Sequence, residues 1–135
     1  MRKDIDTREV TDLGIALIPA EETKEGKLWD VYIVNLKTTP IKNVLVNVTG
    51  RSGGDVPKGQ HTATLRYYFP EIAPESWAHI EAVLPEVMKL DNQYWVSFQH
   101  EDYLFDKKYT VPQNPEETED MWLIPLMGKV GLWFE

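Results

Sequence analysis

Trp-Asp-Val-Tyr-Ile-Val-Asn-Leu-Lys-Thr-Thr-Pro-Ile-Lys-Asn-Val-Leu-Val-Asn-Val-Thr, residues 29–49, is the stretch on which the reading of this chain turns. Side chains alternate across a β-strand. In the first arm Trp29, Val31 and Ile33 share one face, and Tyr32, Val34 and Leu36 share the other. Apolar residues on both faces predict a strand covered on both sides. In the second arm Val44, Val46 and Val48 oppose Asn43, Asn47 and Thr49, the pattern of a half-buried strand. Lys37-Thr38-Thr39-Pro40 separates the arms. Pro40 cannot donate to a central ladder and turns Thr39 away from helical backbone. The stretch is therefore expected to be a hairpin at the centre of a β-sandwich.

Outward from it, the apolar run Leu13–Ile18 predicts a first strand closed by Pro19, and residues 21–27 read as a solvated loop. Residues 50–59 form a glycine-rich connection. Three glycines in five positions suggest a phosphate cradle, but Pro57-Lys58-Gly59-Gln60 leads into a strand and lacks the Lys-Ser/Thr helix start of a P-loop. Residues 61–69 alternate as a strand, and 70–76 form a turn between two prolines. Residues 77–84 are the next strand, with Ala78, Ile80, Ala82 and Leu84 predicted on one face. A single helical turn is expected at 85–90, after Pro85. A second hairpin is expected over 94–111, then a proline-bounded acidic loop at 112–120, then a short terminal hairpin over 122–134. Eight or nine short strands with turn signals between them predict an all-β, immunoglobulin-like antiparallel β-sandwich over residues 13–135, preceded by a polar arm at 1–12.

Composition narrows the functions. A chain of 135 residues suits one domain. A formal charge of −8 is the reverse of what a nucleic-acid surface needs. With no cysteine there are no disulfides, thiolate nucleophiles or zinc–thiolate sites. The charged start Met1–Asp6 is followed by no apolar segment, so neither a signal peptide nor a membrane span is expected, and the cytoplasm is the expected compartment.

One resemblance can be placed on particular residues. Val31-x-Ile33-x-Asn35, then Pro40-Ile41-x-x-Val44-x-Val46-x-Val48, a glycine-bearing loop, and Ile72-Ala73-Pro74-Glu75-Ser76 before a strand resemble the small immunoglobulin-like modules typified by the FxLYD domain. The Leu-Tyr-Asp tripeptide of those modules is replaced here by Thr49-Gly50. The wider pattern in residues 31–46, Tyr94-Trp95-Val96-Ser97-Phe98 and Phe105-Asp106-Lys107-Lys108 resembles a group of small bacterial proteins. Some of that group carry the label phenylalanyl-tRNA synthetase α subunit. That activity needs a large sheet, arginines that hold ATP and a surface fit for tRNA, and these residues supply none of them.

No catalytic set emerges. His61, His79 and His100 sit on separate expected strands without ligand spacing, so no metal or other cofactor is expected. Ser52, Ser76 and Ser97 lack a nucleophile motif. Glu101, Asp102 and Asp106 cluster at one hairpin, where solvation or pairing with Lys107 and Lys108 accounts for them. The aromatic residues are the stronger signal: 5 Trp and 6 Tyr are many for this length, and although large rings fill a sandwich core well, Trp77, Trp95, Trp122 and Trp133 cannot all fit one small core. An exposed ring patch marks a protein partner or a sugar platform. Trp122, Leu132, Trp133 and Phe134 are expected to form an interface at the C-terminal edge, with Trp77 and Trp95 as a second patch. The expected role is a non-catalytic module that binds another protein or a second copy of itself. A carbohydrate-binding sandwich, or an enzyme whose site is not visible in the sequence, are the alternatives.

Overall fold

The computed structural model describes residues 9–51 and 64–135, with the backbone alone at Arg51. The expectations for His61, Ser52, the glycine-rich loop from 52 onward and most of the N-terminal arm lie outside the described residues. Nine strands appear: β1 (Leu13–Thr23), β2 (Gly26–Asn35), β3 (Ile41–Arg51), β4 (Leu65–Ile72), β5 (Ser76–Val83), β6 (Asp91–His100), β7 (Tyr103–Val111), β8 (Trp122–Leu123) and β9 (Val130–Phe134). They build two antiparallel sheets, β5-β2-β1-β9-β8 and β4-β3-β6-β7. The chain is an all-β sandwich, and β1, β2 and β5 against β3, β4, β6 and β7 reproduces the immunoglobulin-type division of strands.

The stretch 29–49 is two strands, but it is not a hairpin. β2 pairs with β1 and β5, whereas β3 pairs with β4 and β6. Residues 36–40 carry the chain from one sheet to the other. Alternation reports which face of a strand is buried, not which strand lies beside it. Asn35 fixes this crossover. It is fully buried, and its Nδ2 donates to Thr39 O at 3.2 Å and Ala73 O at 3.0 Å, with a longer contact to Ile72 O at 3.4 Å. Its Oδ1 accepts from Lys37 N–H at 3.0 Å. Ile72 ends β4 and Ala73 opens the second crossover, from β4 to β5, so one amide ties the first two of the four inter-sheet connections together.

The faces follow the pattern. Trp29, Val31 and Ile33 meet Val44, Val46, Val48, Tyr94, Val96 and Phe98 between the sheets. The outer face of β1 and β2 is covered too: Ala16, Ile18, Val34 and Ile124 form a second cluster, with Tyr32, Leu36, Met127 and Trp133 packed against it. The C-terminal segment is thus a third layer, which explains the apolar residues on both faces of β2. Gly14 permits it, because a Cβ there would lie within the Trp133 ring.

Three boundaries differ from the sequence reading. β1 continues past Pro19 through a register shift to Thr23, and the hairpin with β2 turns at 24–25 rather than forming a loop over 21–27. β9 pairs with β1 only as far as Leu17, so Pro19 sits where its missing N–H costs no ladder bond on that side. Pro70 likewise lies within β4, an edge strand. In β5 a bulge opposite Val31 and Tyr32 shifts the alternation by one residue. Ile80 and Val83 are buried, and Leu84 is turned outward. The expected helical turn is a 3-10 turn at Val87–Lys89, and a short helix over Pro115–Thr118 opens the acidic loop.

Candidate functional site

Of the four residues expected at the C-terminal edge, one is at the surface in bulk. Trp122 is 61% exposed on β8, the outermost strand of its sheet. Leu132 is 0% exposed, pairs with Leu17 on β1 and belongs to the inter-sheet core. Trp133 lies half-buried over Gly14, and Phe134 packs against the main core. The alternation of β9 divides the set, with Leu132 and Phe134 inward and Trp133 on the outer layer. Trp122 instead joins a group that the sequence reading did not assemble. Met121, Leu123, Leu126 and Val130 are all exposed on the same flap, Leu123 at 69%. Trp122 pairs with Gly131, and Leu123 with Val130. The flap is anchored by Ile124, whose side chain is buried and whose N–H donates to Lys129 O at 2.8 Å. Exposed Glu116, Glu117, Glu119 and Asp120 precede it directly.

Trp77 and Trp95 are not one patch. Trp77 is on β5 and Trp95 on β6, in different sheets. The Trp95 ring is already engaged. Its Nε1–H donates to Asp106 Oδ2 at 2.9 Å, and the Lys108 ammonium sits 4.5 Å from the ring centroid. Its face is not a bare platform for a sugar.

The remaining polar side chains are spread over the fold. Asp30 Oδ1 lies 3.0 Å from His79 Nε2, on an exposed surface beside Tyr32. His100 Nε2 is 2.6 Å from Thr39 Oγ1 and joins the first crossover to the turn after β6. Glu101 and Asp102 form that turn with positive φ, while Asp106 serves Trp95. Ser76 Oγ donates to Pro74 O at 3.0 Å, a turn contact. Among the described residues no three His, Asp or Glu side chains converge on a point that could hold a metal ion.

Two of the pockets among the described residues matter for the polar side chains. One, of about 240 Å³, lies beside residues 9–11 and includes Lys37, Phe98, His100 and Phe105. Lys37 Nζ donates to Thr11 O at 2.7 Å, and burial lowers its affinity for the proton against the opposing pull of Asp12 and Glu101. The other, of about 180 Å³, lies between the sheets beside β5 and contains Glu81. The Glu81 carboxylate accepts from Tyr67 OH at 2.8 Å through one oxygen and from Tyr94 OH at 2.9 Å through the other. Burial, then the Glu81 charge, holds Tyr94 well above its ordinary pKa; burial and the Glu81 hydrogen bond push Tyr67 up to about 12. The sequence reading missed this group. Its signal is the lone charge among apolar neighbours in Trp77–Leu84.

No family model, curated protein or solved structure matches this chain. Among the described residues no helix is long and apolar enough to cross a membrane.

Proposed function

We propose that this protein is a non-catalytic docking module whose binding surface is the C-terminal flap, residues 121–130. The supporting observation is the concentration of Met121, Trp122, Leu123, Leu126 and Val130 in one exposed segment at a sheet edge. Soluble domains rarely leave large side chains together in water without a partner. Aromatic residues at the centre of such a surface carry much of the binding energy. The acidic run 116–120 supplies one rim, so the partner that fits has an apolar centre and a basic border. Kinship with the FxLYD modules belongs to the same proposal, supported by the strand order.

The test is affinity purification from the native cell with the wild-type chain and with Trp122→Ala/Leu123→Ala, alongside sedimentation at rising concentration. A partner lost with the double variant and weakened by salt supports the reading. Wild-type self-association abolished by the same variant places a second copy on the flap. The reading fails if the wild type stays monomeric and both baits recover the same proteins.

A further inference from the structure

We infer that the cleft beside β5 is a binding site for a protonated primary amine carried on an aliphatic stem. This site lies at the edge of its sheet opposite the flap, so it is independent of the docking reading.

The polar groups that line the cleft leave only acceptors for a ligand. Glu81 is held in place by Tyr67 and Tyr94, one hydroxyl on each carboxylate oxygen, and each oxygen retains a further acceptor position. Asn92 also lines the cleft and is 3% exposed. Its Nδ2 donates to Val87 O at 3.0 Å and to Leu90 O at 3.2 Å. Both amide hydrogens are thus committed, so Oδ1 is the atom this side chain has left to offer a ligand, and it can only accept. A group that satisfies a carboxylate and an amide oxygen together is a pure donor, and an ammonium is one.

Charge points the same way. The ion pairs among the described residues are His79–Asp30 and His100–Glu101, so no lysine or arginine there neutralises Glu81. A partly desolvated carboxylate without a counter-ion favours a cation. The walls are Val48, Val83, Leu84 and Val87, which suit methylene groups rather than a second polar end. A cavity of about 180 Å³ matches a short alkyl chain. A free alkylamine and a lysine side chain present the same chemistry.

The test is a chemical-shift titration of the full chain with n-hexylammonium chloride, hexan-1-ol as the neutral match, and Nα-acetyl-lysine amide as the protein-side source. Saturable shifts at the Val83, Leu84 and Asn92 amides are expected with hexylammonium. Glu81→Gln should weaken them at least tenfold while shift dispersion stays native. Leu84→Trp, which blocks the rim and leaves Glu81 in place, should weaken them as well, and it decides the matter alone if Glu81→Gln does not fold. Binding of the lysine derivative makes a protein lysine the ligand; its failure beside hexylammonium makes the ligand a free amine. The inference is overturned if the wild type shows no saturable shift, if hexan-1-ol binds as tightly as hexylammonium, or if a folded Glu81→Gln and Leu84→Trp both bind like the wild type.

Discussion

Replacing Asn35 by alanine should be among the most damaging changes that leave the apolar core untouched. The side chain makes three well-formed hydrogen bonds, at 3.0, 3.0 and 3.2 Å, to Lys37 N–H, Ala73 O and Thr39 O. Each is worth about 1 kcal/mol net, and a buried partner left unsatisfied adds to the loss. A destabilisation of about 3–4 kcal/mol follows, large against the 5–15 kcal/mol that typically holds a domain of this kind together. Unfolding entropy of about 2.1 cal/mol/K per residue over 135 residues gives about 0.28 kcal/mol/K, so Tm should fall by about 12 °C. Urea unfolding followed by tryptophan fluorescence, with thermal melts in parallel, measures both. Lys37→Ala is the control: it removes the Nζ bond to Thr11 O but keeps the backbone N–H that Asn35 accepts, and should cost under about 1 kcal/mol. If Asn35→Ala costs no more than the control, the two crossovers are held by the core alone, and the role given to this amide is wrong.

Alkali should unfold the protein through its buried phenols. Burial first, then a nearby carboxylate (Glu81 for Tyr94, Glu135 for Tyr109), raises both folded-state pKa values above the ordinary value near 10. Their stabilisation is complete below pH 10 and is lost as the pH rises, because the unfolded chain then binds fewer protons than the native one. The slope should approach about 2.7 kcal/mol per pH unit for these two groups, Tyr67 adds a further share with its pKa of about 12, and Tyr109→Phe should lower the whole by between a third and a half; urea midpoints across pH 9.5–11.5 that do not move with this variant would count against burial as the cause. Within the C-terminal hairpin, Leu132→Ala should cost about 2–5 kcal/mol and Leu123→Ala under about 0.5, read from the same urea curves. Equal costs would mean that β9 does not face the core as described. Gly14→Ala should cost about 1–3 kcal/mol by lifting Trp133 off the sheet and pressing on Phe134 O, and adding Trp133→Ala should cost less than the sum of the two, since the ring clash is then gone and only the close contact with the Phe134 carbonyl remains. Additive costs in that cycle would show that the ring does not rest on Gly14.

Chain order alone determined that this protein is a β-sandwich with alternating valines on β3, a β6–β7 hairpin and a paired C-terminus, because burial on one face imprints a two-residue period. Residues 21–27 escaped that reading because the hairpin tip runs past the core and carries no period to detect. The bulge in β5 escaped because one extra residue reverses every later side chain, sending Val83 inward and Leu84 out. What tertiary structure alone decided is the company each strand keeps. Residues 29–49 divide between two sheets, Leu132 is core while Trp122 is surface, and Glu81 meets Tyr67 and Tyr94 from across the sandwich. Those outcomes depend on contacts between residues far apart in the chain, and a local period carries no record of them.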